Sequence, residues 1–279
     1  MLVTLKEILR IAEEKKIAIG SFNTPNLTSV RAVIGAAEAQ QCPVILMHAQ
    51  VHETMGLCTM EEMAPIMLFF ARRATVPVCV HLDHGEDLDY VLRGVELGFT
   101  SVMYDGSTLP AEENTRNTVE AVRFAHAAGV SVEGEIGSMG SREGGGEGDT
   151  SIYTDPAAAE RFVADTGIDA LACAFGTAHG FYRSAPKLDF ARLSAIVARI
   201  GVPVVMHGGS GVSPADYREV IRRGVRKINY YTYMSKAGAA AISGKQYTQF
   251  HDALLDAQAA MQEDVIRAMR VFNGQEDNR

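Results

Sequence analysis

Residues 78–84, VCVHLDH, decide the fold class of this 279-residue chain. The run begins with apolar and β-branched residues, a composition typical of a buried strand, and it ends in polar residues. Polar side chains inside a strand are costly unless they are paired or used in chemistry. Their position at the C-terminal end of the run is typical of an α/β barrel, in which active sites lie at that end of the strands.

Seven further runs of the same kind lie on either side of residues 78–84, and longer amphipathic stretches alternate with them. They are AIGSFN (18–23), VILMHA (44–49), SVMYDG (101–106), VSVEGEIG (130–137), ALACAFG (170–176), VVMHGGS (204–210) and KINYYT (227–232). Helices are predicted over 26–40, 86–98, 112–129, 155–167 and 214–224, and most of these stretches end on a glycine. Eight strand–helix units predict a protein of the α/β class with a (β/α)₈, or TIM, barrel.

The domain organisation follows from the absence of a Pro- or Ser-rich linker. We predict a single domain over residues 1–279, with a C-terminal helical extension over 249–272. The Gly-rich segment 138–154, SMGSREGGGEGDTSIYT, lacks the Gly-Lys-Ser/Thr ending of a phosphate-binding P-loop. It is predicted to form a mobile loop beside the active-site mouth rather than a solvated linker.

Composition excludes several classes of protein. The formal net charge of −8 argues against nucleic-acid binding but is compatible with a small anionic substrate. No apolar run approaches the roughly 18 residues of a membrane span, and the N-terminal residues resemble an amphipathic helix rather than a signal peptide. The four cysteines are far apart, which is typical of reduced thiols in a cytoplasmic protein.

Histidines cluster at the predicted strand ends. Four of the eight lie there, namely His81, His84, His179 and His207. Three imidazoles from separate strands with an open fourth position are the ligand set of a catalytic zinc ion. We predict His84, His179 and His207 as the ligands. His81 shares a pleat face with Asp83 and is expected to orient a neighbour instead.

Acidic residues accompany the histidines. Asp83 adjoins a predicted ligand, so it either relays protons to a substrate hydroxyl or orients that ligand. Asp105 and Glu135 either form a second metal position, hydrogen-bond the ligands, or belong to an interior network. The glycines at 208–209 and the turn at 229–232 follow the last two strands, where barrels commonly bind phosphate.

In these motifs the chain resembles the class II fructose/tagatose-bisphosphate aldolase family. The likeness runs from about residue 5 to about residue 232, and it rests on SFN (21–23), HLDH (81–84), SVMYDGS (101–107), VEGEIG (132–137), GTAHG (176–180), HGGSG (207–211) and KIN (227–229). The resemblance implies a lyase, a zinc-dependent aldolase that cleaves or forms a ketose 1-phosphate or 1,6-bisphosphate. Its donor or product would be dihydroxyacetone phosphate.

The resemblance also implies roles for individual residues. Asp83 would exchange a proton with the hydroxyl at the cleaved bond, and Asp105 and Glu135 match positions of an alternative metal location. The implied metal ligands are His84, His179 and His207, and the implied substrate-binding residues are Asn23, Gly180, Gly208, Gly209, Ser210, Asn229 and Thr232. A sodium or potassium ion near the phosphate and a homodimer or homotetramer are further implications.

Three departures from the family pattern bear on the substrate. Ala49 replaces the usual small hydroxyl residue, tyrosines at 230, 231 and 233 crowd the turn after Asn229, and no arginine lies between 245 and 260 to grip a distal phosphate. We therefore expect an acceptor aldehyde that is unphosphorylated or unusual. The base that removes the C–H proton is left open, with Glu143 and Glu147 as candidates.

Three other functions compete with this one. A Schiff-base aldolase would need a lysine inside the barrel, and we expect none, because Lys227 stands at the start of the last strand and Lys187 in a loop. A zinc hydrolase would need a base positioned on water. A catalytically degraded sugar-phosphate sensor is the alternative outside the enzymes, and it would show no chelator-sensitive cleavage of a ketose phosphate.

Overall fold

The fold is a parallel barrel surrounded by helices. The computed structural model describes residues 1–137, 153–177 and 186–275. The strands in these ranges are β1 (Leu2–Val3), β2 (Ile19–Asn23), β3 (Val44–Ala49), β4 (Val78–Gly85), β5 (Ser101–Tyr104), β6 (Ser131–Ile136), β7 (Ala170–Cys173), β8 (Val204–Met206) and β9 (Val225–Tyr230). All their pairings are parallel.

Strands β2 to β9 form the closed barrel that the sequence predicted. Each pairs with its neighbours in chain order, and the circle closes where β2 pairs with β9. The short strand β1 was not predicted. It pairs with the first residues of β4, with Leu2 opposite Val78, and so adds a short strand at the N-terminal end of the barrel.

The helices alternate with the barrel strands, as predicted. Those in the described ranges are α1 (Leu5–Lys15), α2 (Leu27–Gln40), α3 (Val51–Thr54), α4 (Met60–Arg73), α5 (Leu88–Glu96), α6 (Ala111–Ala127), α7 (Pro156–Thr166), α8 (Phe190–Val197), α9 (Pro214–Arg222), α10 (Thr232–Ile242) and α11 (Phe250–Phe272). The predicted helix start at Asn26 is confirmed, since its side chain accepts a hydrogen bond from the Ser29 amide. No described helix is both long and apolar enough to cross a membrane.

Two hydrophobic layers hold the barrel in place. The outer layer lies between the strands and the surrounding helices. The inner layer joins inward-facing strand residues such as Ile45 and Met103 to the apolar face of α1, which includes Leu5 and Ile8. Because α1 contacts strands from different sides of the barrel, it closes the N-terminal end. The polar strand ends therefore lie at the opposite, open end.

Candidate active site

The end of β4 departs from regular strand geometry at the predicted site. Pairing between β4 and β5 shifts register between Leu82 and Gly85. His84 has a φ of 48°, in the left-handed region that residues other than glycine seldom adopt. In a regular strand Asp83 and His84 would point to opposite faces. The irregularity instead brings both side chains to the same cluster, together with His207.

His84 and His207 face each other across the open end of the barrel. Nε2 of His84 lies 2.8 Å from Nδ1 of His207. The other nitrogen of each ring is held by a carboxylate: Asp105 lies 2.6 Å from Nδ1 of His84, and Glu133 lies 2.7 Å from Nε2 of His207. Carboxylates in such positions fix the tautomer and ring orientation of metal-binding histidines. The two facing nitrogens are therefore the ones available to a cation.

A carboxylate oxygen is left without a hydrogen bond at this point. Oε2 of Glu135 is buried and has no hydrogen-bond partner among the described residues. It lies 3.9 Å from Nδ1 of His84 and 4.0 Å from Nδ1 of His207. Since a buried carboxylate oxygen is costly unless it is paired or binds a metal, this arrangement fits a cation.

The electrostatics of the cluster also favour positive charge. Burial alone would lower the pKa of His84, but the surrounding carboxylates, chiefly Asp83 and Asp105, outweigh it and raise that pKa to about 10. Burial and the nearby Asp105 charge raise the pKa of Glu135 well above its ordinary value. His84 and Glu135 thus bind protons more tightly than usual, because carboxylates outnumber cations around them. A divalent metal ion bound here would displace these protons.

Asp83 is held by two amides. Its Oδ1 accepts a hydrogen bond from Nδ2 of Asn229 at 2.9 Å, and its Oδ2 accepts a longer one from Nδ2 of Asn23 at 3.4 Å. The carboxylate is 4% exposed and lines the same cavity as His84. Two residues predicted to bind substrate thus lie in contact with the residue predicted to move the proton.

The expectation of no lysine inside the barrel was wrong. Lys227 is fully buried in the middle of β9, and its ammonium donates to Oε2 of Glu133 at 2.8 Å and lies 3.3 Å from Nε2 of His81. The other ring nitrogen of His81 lies 2.8 Å from Oγ of Ser101. The period-two spacing from Lys227 to Asn229 was the sequence signal that both face inward.

This interior network explains the position of His81. Burial, together with the Lys227 charge, lowers the pKa of His81 well below its ordinary value, so the ring is neutral. It contacts Lys227, which holds Glu133, and Glu133 holds His207. Nε2 of His81 also lies 3.7 Å from Oε2 of Glu133, so His81 acts on a predicted ligand through Glu133 and Lys227 rather than by direct contact. Lys227 is engaged by this ion pair and is not among the residues that line the cavity.

The loop after β8 meets the N-terminus of α10. Oγ of Ser210 accepts hydrogen bonds from the amides of Tyr231 and Thr232, both at 3.1 Å. Gly209 lies against β9, and a Cβ at this glycine would come within 2.7 Å of the Asn229 carbonyl oxygen. Because Ser210 accepts from both amides, its hydroxyl hydrogen is the donor at this helix N-terminus, a favourable position for an anion.

A cleft with a volume of about 210 Å³, open to solvent, joins these features. Its lining includes Asp83, His84 and the loops after β8 and β9. Ala49, Val51, His52 and Met55, from the end of β3 and the residues after it, line the rest, and His52 packs against Tyr231 of the β9 loop. Of the tyrosines expected to crowd the turn, Tyr230 instead directs its hydroxyl to Asp264 of α11 at 3.0 Å.

Several predicted residues lie outside the described ranges. They are the metal ligand His179, the substrate-binding residue Gly180, the base candidates Glu143 and Glu147, and all but the last two residues of the predicted loop 138–154. The described residues bring together the other members of the predicted site. These are Asn23, Asp83, His84, Asp105, Glu135, His207, Gly208, Gly209, Ser210, Asn229 and Thr232.

Comparison with known proteins identifies the family. The sequence profile named "Fructose-bisphosphate aldolase class-II" matches residues 3–277. This chain belongs to the class II fructose-bisphosphate aldolase family. It is therefore an aldehyde-lyase of carbohydrate metabolism, from a family that generally uses zinc and acts on small phosphorylated sugars.

Individual relatives cover nearly the whole chain. The fructose-bisphosphate aldolase of Geobacillus stearothermophilus is 42% identical over 233 residues, which are 83% of this chain and 81% of that protein. The crystal structure of the YdjI aldolase from Escherichia coli K12 superposes with a TM-score of 0.88 at 34% identity, covering 98% of this chain and 97% of that one. A putative fructose-1,6-bisphosphate aldolase from Coccidioides immitis gives a TM-score of 0.87 at 29% identity, covering 97% and 96%.

Proposed function

We propose that this enzyme is a zinc-dependent aldolase that forms or cleaves a ketose 1-phosphate, with dihydroxyacetone phosphate as donor or product. The observation that carries the proposal is the cluster of Asp83, His84 and His207, whose potential ligand atoms all lie within 4.8 Å of one another. It lies in the same cleft as the amide-rich loops after β8 and β9. A metal site and an anion site therefore face one substrate-sized space.

The metal would be held by His84 and His207, with His179 as the third ligand predicted from the sequence. Two observations support this choice: the carboxylate-bound outer nitrogens of both rings, and the buried oxygen of Glu135 that lacks a hydrogen bond. Glu135 and Asp105 offer a second position, since their oxygens and a nitrogen of His84 also lie within 4.8 Å of one another. A bound zinc ion would act as a Lewis acid, polarising the ketone and stabilising negative charge beside it.

Asp83 would transfer the proton at the oxygen of the cleaved bond. In the synthetic direction a base, for which Glu143 and Glu147 are the candidates from the sequence, takes the C–H proton of the donor. The donor carbon then bonds to the aldehyde carbon, and Asp83 gives its proton to the aldehyde oxygen. Cleavage returns that proton to Asp83 as the C–C bond breaks. Support comes from the amides of Asn229 and Asn23, which hold both carboxylate oxygens at the edge of the cleft.

The phosphate of the donor would bind where the loop after β8 meets α10. Ser210 would supply its hydroxyl and Gly208 its backbone amide. The amide of Gly209 donates to the Asn229 carbonyl at 3.1 Å and that of Thr232 to Oγ of Ser210, so these two amides would exchange partners on binding the phosphate. Ser210 already accepts hydrogen bonds from two amides at this helix N-terminus. A sodium or potassium ion beside the phosphate remains a prediction from the family resemblance.

The acceptor aldehyde would be unphosphorylated. Among the described residues that line the cleft there is no lysine or arginine, and the wall beside the turn after β9 is formed by Ala49, Val51, His52 and Met55. A phosphate on the acceptor would find no cationic partner on that wall. The described wall is instead suited to a neutral, hydroxylated aldehyde.

Removal and return of metal tests the proposal. Aldol addition of glyceraldehyde to dihydroxyacetone phosphate should be lost after exhaustive chelation and restored by one equivalent of zinc. The same assay with glyceraldehyde 3-phosphate should give a lower kcat/KM. Full turnover without metal would contradict the zinc mechanism, and a strong preference for the phosphorylated aldehyde would contradict the acceptor assignment. A cytoplasmic location and a homodimer or homotetramer remain predictions, to be checked by fractionation and by solution mass measurement.

A further inference from the structure

His52 occupies an unusual position in the wall of the cleft. It lies on α3, the short helix that follows β3, and its side chain is only 2% exposed although it lines the cleft. Its ring packs against two others, with centroids 5.7 Å from His48 and 5.9 Å from Tyr231. The imidazole is therefore fixed in place by its neighbours rather than extended into solvent.

The hydrogen bonding of His52 determines where its proton lies. The amide of Ala49 donates to Nδ1 of His52 at 3.3 Å. A neutral imidazole that accepts at Nδ1 carries its hydrogen on Nε2. Burial, helped by the neighbouring His48, lowers the pKa of His52 to about 4, so the ring is neutral near pH 7. No described residue accepts a hydrogen bond from Nε2.

A second metal site is the other function that this region offers. His48, His52 and Cys58 are all buried, and their potential ligand atoms lie within 4.8 Å of one another. The Ala49 amide, however, occupies the lone pair on Nδ1 of His52, and Nε2 keeps its hydrogen. A nitrogen that carries a hydrogen cannot bind a metal, so this tautomer leaves His52 a donor rather than a ligand.

Apart from the phenol of Tyr231, which packs against His52, the described residues of this wall offer no other side chain that donates a hydrogen bond. The side chains of Ala49, Val51 and Met55 carry no hydrogen-bond donor. An aldehyde lying against them would have hydroxyl groups that lose their water partners on binding, and each needs a replacement. A neutral N–H group suits a hydroxyl oxygen, whereas a phosphate or carboxylate would be matched better by a cation.

We propose that His52 is a specificity-determining residue whose Nε2–H donates a hydrogen bond to a hydroxyl oxygen of the acceptor aldehyde. The proposal rests on the function proposed above, because it assigns that wall of the cleft to the acceptor. The class of ligand is a short, unphosphorylated hydroxyaldehyde. Asp83 handles the reacting oxygen, and His52 would recognise an oxygen that does not react.

Two substitutions distinguish the hydrogen-bond donor of His52 from the packing of its ring. His52→Phe keeps a ring beside Tyr231 but removes the donor, and His52→Gln places an amide N–H close to the position of Nε2. Each variant is assayed with dihydroxyacetone phosphate and either glyceraldehyde or propionaldehyde, which lacks both hydroxyls. His251→Phe, which changes an exposed histidine on α11, is the matched control.

The expected result is a loss confined to the hydroxylated aldehyde. His52→Phe should lower kcat/KM for glyceraldehyde about tenfold, mostly through KM, because one hydrogen bond to a buried donor is lost. Its kcat/KM for propionaldehyde and its KM for dihydroxyacetone phosphate should not change, and His52→Gln should recover most of the loss. Equal losses on both aldehydes, or no loss, would overturn this proposal alone. Absence of metal-dependent addition by the wild-type enzyme with both aldehydes would overturn the proposed function as well.

Discussion

At the residue scale, the site depends on groups whose surroundings set their charge. His84 and His207 each have one nitrogen bound to a carboxylate, and the remaining nitrogens face each other. A cation bound between these two nitrogens would displace the proton that they share. The acidic surroundings that raise the pKa of His84 are the same ones that would attract a divalent ion.

Asp83 provides the prediction that belongs to this scale. Asp83→Asn keeps the size of the side chain but cannot exchange a proton, so kcat should fall by about 10² to 10⁴. Zinc content and thermal stability should remain close to those of the parent enzyme. Steady-state kinetics and metal analysis check both points, with Asp89→Asn, an exposed change on α5, as the control. Retention of kcat within a factor of three would remove Asp83 from the chemistry.

At the element scale, two local irregularities build the site. The shift in register near the end of β4 allows Asp83 and His84 to face the same cluster. The left-handed conformation of His84 costs roughly 1–2 kcal/mol relative to a regular strand. Such strain persists only where the surroundings determine the conformation, and here the paired Asp105 and His207 do so.

Gly209 provides the prediction for elements, because it allows the loop after β8 to lie against β9. In Gly209→Ala the new Cβ would meet the Asn229 carbonyl oxygen at 2.7 Å, so the loop must move away from β9. KM for dihydroxyacetone phosphate should rise about tenfold or more, since small displacements of a binding group have large effects.

A matched glycine change controls for the general effect of a new methyl group. At Gly201 a Cβ would meet no atom within 4 Å, so Gly201→Ala should leave KM unchanged. Kinetics of both variants with dihydroxyacetone phosphate as the varied substrate make the comparison. If the two variants behave alike, the loop after β8 does not position the phosphate.

At the scale of the whole molecule, a buried ion pair links opposite walls of the barrel. Lys227 of β9 and Glu133 of β6 are both fully buried and lie 2.8 Å apart. Removing one partner leaves a buried charge uncompensated, so Lys227→Met should lower the free energy of unfolding by about 3–5 kcal/mol. Adding Glu133→Gln should recover part of this loss, because it removes the unpaired charge.

Chemical denaturation of the zinc-loaded enzyme measures these differences. Lys6→Met is the control, since Lys6 forms an ion pair with Asp169 but is 77% exposed, and its loss should change stability by less than about 1 kcal/mol. A Lys227→Met enzyme as stable as the Lys6→Met enzyme would show that the interior pair does not hold the barrel together.

Much of the fold could be predicted because its causes are local. Apolar strand runs, glycines after helices and a capping residue such as Asn26 act over a few positions, so their pattern predicted the strand–helix alternation and hence the barrel. The two-residue strand β1 was missed, because its pairing with β4 depends on a partner more than seventy positions away. Most of the site residues could also be predicted, because they are polar residues at the C-terminal ends of predicted strands.

The sequence by itself determined that this chain forms a (β/α)₈ barrel with histidines and acids at the C-terminal ends of its strands. Only the tertiary structure decided which of those groups meet. The alternation rule places Asp83 and His84 on opposite faces, and a break in register overrides it. Lys227 was expected outside the barrel core and lies inside, paired with Glu133. The physical reason is that side-chain contacts across a barrel join residues remote in the chain. Local periodicity indicates which face a side chain takes, as for Lys227, but not which residue it meets there.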